Sequence, residues 1–391
     1  MPDEPDAAFA PAPAHESDLA MLRDALGYDD TDSDDHALPE PGLRSREPLG
    51  PGAVTGFDLD HAGGMQTWFV DTSRLAVQAE TGMSTGEDPV HPDARIWLHP
   101  ADPHLPALAA AAFGHSAAAL LARLGMTATG DIAMIGYRPG RRAVLRVATN
   151  AGDAWIKVVR PSRVDRLVSA HRACADGGLP VPTLLGWASE GLIVLDSAIG
   201  TPAAEVPWRP GQLLDEVDAL RERIAHVAWD RPAKSIADRL DWYAGHAGDD
   251  ADAARLVRGV RALLAGAPQA PRSIVHGDLH FGQVFLDESH RVSGVIDVDT
   301  FGVGVPAEDS AAFIAHAVAS ARLTGAIDSA RVWRLADHAL RRWDAADVRA
   351  FTGIHLLGQA NAARDNGDVI GARELSAAAL RIVDGDGASP L

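Results

Sequence analysis

One short stretch of the chain carries the residues best suited to chemistry. The sequence HGDLHFGQ occupies 276–283, and VIDVD occupies 295–299. Asp278, Gln283 and Asp297 supply carboxylate and amide oxygens, the donors that Mg²⁺ prefers. Phosphoryl transfer needs such a set: one Asp takes the proton of the attacking hydroxyl, while an amide and a second Asp hold a metal on the phosphates. The stretch therefore predicts metal-assisted phosphoryl transfer.

The same chemistry requires a cation for the phosphates of a nucleotide. Lys157 and Lys234 are the only lysines of the chain. Lys157 lies within the apolar run AWIKVV, where an unpaired buried charge is costly. We therefore predict that Lys157 binds phosphate; the other interpretation is a strand lysine whose ammonium group reaches solvent.

HGDLHFGQ followed by VIDVD resembles the aminoglycoside phosphotransferase and choline kinase-like superfamily. Members of that superfamily are small-molecule kinases with a two-lobed, protein-kinase-like fold, and the resemblance extends over about 138–312. It implies ATP as phosphate donor and Mg²⁺ as cofactor. It also implies that Asp278 is the catalytic base, that Asp297 binds the metal, and that Lys157 binds the phosphates.

Two features depart from the superfamily pattern. Gln283 stands where most members have Asn, although this HGDxHxGQ form resembles the maltokinase and glucosamine kinase branch, and we expect Gln283 to bind the metal. The helix predicted after Lys157 lacks the expected glutamate partner, and the nearest acid is Asp165. Both departures support an alternative, a non-catalytic nucleotide-binding protein. The intact Asp278 and Asp297 favour an enzyme.

The resemblance also assigns residues on the nucleotide side. The turn GYRPGRR resembles the short loop over the phosphates, which places Gly136 and Gly140 there. The segment LDSAIGTP resembles the connection between the lobes, so Asp196 and Ala198 are predicted to meet the adenine with backbone groups.

Four further residues have a supporting role or an ordinary structural one. His276 is predicted to be buried and to hydrogen-bond the loop, and Asp309 resembles the structural acid behind the site. His280 either touches the acceptor or is solvated. Asp299 either adds a metal contact or caps the next turn.

These residues must be positioned by an α+β fold. We predict an antiparallel-sheet lobe over 51–196 and a mainly helical lobe over 197–391, preceded by a disordered leader over 1–50. The leader holds thirteen acidic side chains against three arginines, although Leu19, Leu22 and Leu26 have helical spacing behind a Ser17 cap. That helix either frays or docks onto the body or onto a protein partner.

The predicted elements follow from periodicity and turn signals. In the first lobe we predict the strands 68–70, 95–99, 131–137, 142–149, 153–159 and 191–196, and the helices 106–125 and 162–175. In the second lobe we predict the helices 210–229, 233–246, 251–265, 307–323, 327–343, 345–364 and 368–384.

Composition excludes several other classes of function. The net charge of −19 disfavours a nucleic-acid partner, because the chain has no excess of basic side chains that could displace the counterions of nucleic-acid phosphates. The single cysteine excludes an intramolecular disulfide or a Cys-rich zinc site. The chain contains no run of eighteen apolar residues, so no membrane span is predicted and the expected location is the cytoplasm.

The expected partners are a nucleotide and a hydroxylated small molecule. Aromatic and acidic residues within 208–246 either line the site of the small molecule or pack into the core.

Overall fold

The computed structural model describes residues 14–28, 39–61, 63–88, 90–268, 270–324 and 326–388. They form two compact units. The first contains the described residues up to Val164, together with Gly186–Val194. The second contains Asp165–Leu185 and the described residues from Leu195 onwards. The boundary near 195 lies close to the predicted one, but Asp165–Leu185 groups with the second unit rather than the first.

The first unit begins with a five-stranded antiparallel sheet. Its strands are β1 (Gly42–Leu49), β2 (Gly52–His61), β3 (Gly64–Asp71), β4 (Met83–Thr85) and β5 (Ala94–Leu98). Their order across the sheet is β1-β2-β3-β5-β4. Only parts of β3 and β5 were predicted, so this sheet is larger than the sequence pattern indicated.

A helix, α1 (Ala14–Leu26), packs on this first sheet. Leu22 is fully buried among Phe57, Val70 and Ile96. Thr55 Oγ1 donates a hydrogen bond to the buried carboxylate of Asp18 at 2.5 Å. The docked form of this helix is therefore the one observed.

The leader over 1–50 was predicted to be disordered. Two of its stretches, α1 and β1, are instead ordered. The rest of the leader, 1–13 and 29–38, lies outside the described residues. The helix begins before Ser17, so this residue lies inside the helix and is not its cap. Composition alone suggested disorder because it counts the acidic side chains and overlooks the apolar stripe that faces the sheet.

A second antiparallel sheet follows along the chain. It comprises β6 (Ala128–Arg138), β7 (Arg142–Thr149), β8 (Gly152–Val159), β9 (Leu184–Ala188) and β10 (Leu192–Leu195), in the order β6-β7-β8-β10-β9. The helix predicted over 106–125 is instead two short helices, α2 (Leu108–Ala112) and α3 (Gly114–Ala122). Extended backbone at Phe113 separates them. The helix α4 (Val164–Asp176) follows β8.

The second unit is mainly helical, as predicted. Its helices after α4 are α5 (Pro210–Ala225), α6 (Leu240–His246), α7 (Ala251–Gly266), α8 (Pro306–Leu323), α9 (Ala326–Arg342), α10 (Ala346–Asp365) and α11 (Val369–Asp384). The helix α8 lies in the core, with Phe313, Ile314 and Val318 buried. The predicted α+β class is confirmed. Within the described residues, every helix is too short or too polar to cross a membrane.

Two small sheets in this unit frame the segment 276–283. The strand β12 (Ser273–Val275) pairs with β15 (Gly302–Gly304). A three-stranded sheet contains β11 (Thr201–Pro202), β13 (Val284–Leu286) and β14 (Val292–Val295). Because β12 ends just before the segment and β13 begins just after it, both ends of the loop are fixed by backbone pairing.

Candidate functional site

The loop between β12 and β13 is held by its own backbone. Gly277 has φ of +84°, and a Cβ there would lie 2.8 Å from the carbonyl oxygen of Thr300. Only glycine fits that position without strain. His276 is fully buried, and its Nε2 donates a hydrogen bond to the carbonyl of Ile296 at 3.0 Å. The sharp turn and the buried ring together fix the position of the next residue, Asp278.

A buried carboxylate supports the loop from behind. Asp309, in the first turn of α8, is 2% exposed. It accepts hydrogen bonds from the backbone N–H groups of His276 at 2.9 Å and of Gly277 at 2.7 Å. A carboxylate that accepts two backbone bonds makes strong, charge-assisted contacts. The position predicted for Asp309, behind the loop, is the one that the structure gives it.

Asp278 is the accessible acid of the loop. Its side chain is 38% exposed, and its Oδ1 lies 3.5 Å from Nε2 of His316 in α8. Partial burial raises the pKa of Asp278, but the interaction with His316, with smaller contributions from His355 and His280, outweighs this effect. The net pKa lies below the ordinary value, so the carboxylate is ionised at neutral pH and can accept a proton.

His280 is neither a freely solvated loop residue nor a fully buried one. Its ring is stacked on that of His316, with centroids 4.0 Å apart and an interplanar angle of 12°. Its Nδ1 accepts a hydrogen bond from the N–H of Gly282 at 3.2 Å. Burial, reinforced by the neighbouring His316, lowers the pKa of His280 to about 3. The imidazole is therefore neutral at pH 7, and a contact with an acceptor stays a prediction.

Gln283 and Asp297 lie on neighbouring segments. The N–H of Ile296 donates to the carbonyl of Gln283 at 3.1 Å, so the residue before Asp297 is bonded to Gln283. Gln283 is buried, and its side-chain Oε1 accepts a long hydrogen bond of 3.3 Å from the N–H of His280. Asp297 has left-handed backbone, with φ of 61° and ψ of 46°. Such conformations are uncommon outside glycine and concentrate at functional sites.

These residues fit a magnesium ion in their chemistry. A carbonyl oxygen has two lone pairs, so Oε1 of Gln283 keeps one beyond its long hydrogen bond. Within the described part of the chain, no three His, Cys, Asp or Glu side chains form a metal cluster of their own. Magnesium often uses only one or two protein oxygens and completes its shell with phosphate and water. Asp299 lies in the 3₁₀ turn after Asp297, and its role as ligand or cap stays a prediction.

In the first unit, Lys157 is a partly buried residue of β8. Its backbone pairs with Val144 of β7. Asp165, the acid considered as its partner, is 85% exposed and forms an ion pair with Arg231 at 3.3 Å. Asp165 is therefore engaged elsewhere, and phosphate binding by Lys157 stays a prediction.

The turn between β6 and β7 contains Gly140, one of the two glycines predicted to lie over the phosphates. Gly140 is buried, and its N–H donates to Oδ2 of Asp102 at 2.7 Å. A Cβ on Gly140 would lie 2.6 Å from the side chain of Leu49 in β1. The amide is thus bonded to a buried carboxylate, which gives Gly140 a structural role, and phosphate binding at Gly140 stays a prediction. Gly136 is exposed on β6 opposite Val144, and its predicted role is unaffected.

The connection after β10 is extended and partly exposed. The N–H of Asp196 donates to the carbonyl of Thr183 at 2.9 Å, and its side chain accepts from the N–H of Ser197 at 2.8 Å. Ala198 is partly buried and packs near Gly294 of β14. Adenine binding by Asp196 and Ala198 stays a prediction.

The aromatic residues proposed for an acceptor wall divide into two groups. Trp208 is buried, and its Nε1 donates to the carbonyl of Ala203 at 2.7 Å, so this ring belongs to the core. Trp242 is 49% exposed and stacks on His246, with centroids 5.3 Å apart. Of these two tryptophans, only Trp242 presents a substantial surface to a ligand.

Two histidines that interact with Asp278 were not predicted from the sequence. His316 lies on α8 and His355 on α10, both far along the chain from the loop. Burial lowers the pKa of His355 to about 4. A signal for His316 was present, because it follows Asp309 by seven residues and therefore lies on the same helix face.

Comparison with known proteins identifies a family for the chain. The phosphotransferase enzyme family (APH) matches residues 135–351. A thermostable mutant of the aminoglycoside phosphotransferase APH(4)-Ia in its apo form is 19% identical; the match covers 69% of this chain and 99% of that chain, with a TM-score of 0.52. A further variant, in complex with AMP-PNP and hygromycin B, gives 18% identity, 70% and 100% coverage, and a TM-score of 0.52.

A macrolide 2′-phosphotransferase type I is 17% identical, with 67% and 95% coverage, but its TM-score of 0.46 is too low to support a structural argument. No curated protein matches the chain. At these identities the solved structures establish the fold alone, and they confirm the predicted kinase-like fold.

Proposed function

Since the chain belongs to the phosphotransferase enzyme family, we propose that it transfers the terminal phosphoryl group of ATP to a hydroxyl of a small molecule. The observation that carries this proposal is the half-exposed, ionised Asp278 on a loop fixed by Asp309. A carboxylate so placed can take a proton from a hydroxyl, and the oxygens of Gln283 and Asp297 follow it along the chain.

In the proposed mechanism, Asp278 accepts the proton of the acceptor hydroxyl. The hydroxyl oxygen forms a bond to the γ-phosphorus, the bond from that phosphorus to the bridging oxygen breaks, and ADP leaves. Lys157 holds the phosphates of ATP by charge. Gln283 and Asp297 would hold Mg²⁺, which supplies neutralisation of the phosphate charge when bound. Most of the acceleration comes from positioning and electrostatics rather than covalent catalysis.

The proposed acceptor is an amino sugar, a sugar or an aminoglycoside-like molecule. Support comes from the related APH(4)-Ia complex, which holds the aminoglycoside hygromycin B. The exposed ring of Trp242 is suited to pack against a sugar face. Hygromycin B, glucosamine and neutral sugars therefore form the first panel of acceptors.

The test compares the wild type with Asp278→Asn. With radiolabelled ATP, Mg²⁺ and the acceptor panel, we expect the substitution to reduce turnover by about 10²–10⁴-fold, the usual contribution of general base catalysis. Asp328→Asn, an exposed acid on α9, serves as the matched control and should leave turnover unchanged.

A second measurement separates loss of chemistry from loss of binding. Mg-ATP should raise the melting temperature of the wild type and of Asp278→Asn alike, since ligand that binds only the native state stabilises it. Retained turnover in Asp278→Asn would overturn the assignment of the base. Absence of any Mg-ATP shift in the wild type would favour a degenerate protein of the same fold.

A further inference from the structure

Three residues on one face of α8 contact the loop 276–283, which holds the proposed base Asp278. Asp309, Phe313 and His316 follow at i, i+4 and i+7, the spacing that places side chains on one side of a helix. Asp309 bonds the backbone of His276 and Gly277. The ring of Phe313 lies 6.2 Å from that of Phe281. His316 is the third contact of this face, and it reaches Asp278.

The position of His316 is restricted from two sides. Its Nε2 lies 3.5 Å from Oδ1 of Asp278, and its ring lies flat on that of His280. The ring of His280 is in turn fixed by the hydrogen bond from Gly282. Because His280 cannot turn without losing this bond, the stacked pair limits rotation of His316.

A contact on one carboxylate oxygen sets the direction of the other. A carboxylate is planar, so an N–H donor on Oδ1 restricts rotation about the Cβ–Cγ bond and defines where Oδ2 points. Geometry of this kind matters for proton transfer, since a displacement of about 1 Å can lower a rate about 100-fold. Asp278 therefore depends on its neighbours for orientation as well as for charge.

We infer that His316 is a positioning residue for Asp278, holding Oδ1 through its Nε2–H so that Oδ2 is presented to the acceptor hydroxyl. The inference rests on the proposed function, because it assigns the orientation of the proposed base. The other titratable groups acting on Asp278 are His280 in its own loop and His355 on α10; Arg239 acts on His355.

The test uses two substitutions that separate the ring from the donor. His316→Phe keeps an aromatic ring for the stack on His280 but removes the N–H. His316→Gln loses the ring but keeps an amide N–H of similar reach. We expect His316→Phe to lower kcat by about 10–100-fold with KM for ATP unchanged, and His316→Gln to recover most of this loss.

His338→Phe, on the exposed part of α9, is the matched control and should leave kcat unchanged. The assay uses ATP, Mg²⁺ and whichever member of the sugar and aminoglycoside panel the wild type phosphorylates fastest. Full activity of His316→Phe would overturn the inference. Equal impairment of both His316 variants, each with a normal Mg-ATP melting shift, would overturn it as well, since the ring rather than the donor would then matter.

An NMR titration tests the inference even where the wild type phosphorylates no member of the acceptor panel. The carboxyl ¹³C signal of Asp278, identified by its absence in Asp278→Asn, is titrated in the wild type and both His316 variants. We expect its midpoint to move to higher pH in His316→Phe and to stay closer to the wild type in His316→Gln. An unchanged midpoint in His316→Phe contradicts the inference, whereas lack of turnover with a shifted midpoint contradicts only the proposed function.

Discussion

At the scale of single residues, the side chains that lower the pKa of Asp278 are the imidazoles of His316, His355 and His280. Burial lowers the pKa of His280 to about 3 and that of His355 to about 4. Two of the three rings are therefore neutral at pH 7 and provide polar contacts without a full positive charge. If Asp278 acts as the proposed base, its ionised carboxylate takes a proton among mostly neutral groups.

The depressed pKa of His355 predicts a dependence of stability on pH. As the pH falls below 6.5, unfolded His355 takes up a proton, whereas folded His355 does so only near pH 4. The unfolded state binds more protons in this window, so the free energy of unfolding decreases as the pH falls. The decrease due to this residue is up to about 1.4 kcal/mol per pH unit.

Urea unfolding at pH 7.5 and pH 5.0 measures this effect in the wild type and in His355→Gln. We expect the difference between the two pH values to be smaller in His355→Gln, because the titrating group is gone. His226→Gln removes an exposed imidazole from α5's C-terminal end and serves as the control. An equal decrease in the wild type and His355→Gln would show that burial of His355 is not the cause.

At the scale of elements, the turn between β6 and β7 is anchored to the first sheet and the segment after it. Asp102 is 1% exposed and accepts hydrogen bonds from the N–H of Gly140 at 2.7 Å and from Tyr137 Oη at 2.9 Å. Arg138 forms an ion pair of 2.7 Å with Glu47 of β1. Hydrogen bonds to a buried carboxylate and a more exposed ion pair therefore hold this turn together.

Removal of the carboxylate should loosen the turn. Asp102→Ala leaves three donors, the N–H groups of Gly140 and His104 and the hydroxyl of Tyr137, without their acceptor, at a cost of about 1–3 kcal/mol each. We expect lower stability in urea and faster hydrogen exchange over 137–142. Asp102→Asn keeps one acceptor oxygen and should show a smaller effect. Unchanged exchange in Asp102→Ala would mean that the ion pair and packing hold the turn by themselves.

Sequence patterns predicted the elements of the second unit well and those of the first sheet poorly. The long helices have sustained apolar periodicity, and each predicted helix has an observed counterpart. The candidate site could be recognised in the sequence because Asp278, Gln283 and Asp297 lie close together in the chain. His316 and His355 reach Asp278 only through helix packing, and the burial of Gly140 depends on Leu49 and Asp102, which no local pattern connects to it.

At the scale of the whole molecule, the family match begins at residue 135, after the first sheet. The related APH(4)-Ia structure is matched over 99% of its length by only 69% of this chain. The first sheet and α1 thus precede the part of the chain that the family matches, yet they belong to the same compact unit as the second sheet. Rings of Phe69 and His99 lie 5.5 Å and 4.9 Å from the ring of Tyr137 on β6.

This shared packing predicts that the family-matched part is not independently stable. A chain limited to 126–391 loses Leu49, Phe69 and Asp102, and so exposes the ring of Tyr137 and the amide of Gly140. Loss of a whole buried aromatic side chain such as Phe69 costs about 3–5 kcal/mol, and each kcal/mol shifts the melting temperature by about 2–4 °C. We expect the shortened chain to melt about 10 °C below the full chain, with reduced hydrogen-exchange protection in β6 to β8. Equal melting and equal protection would show instead that the second sheet is complete without the first, and that the additional sheet is only attached to it.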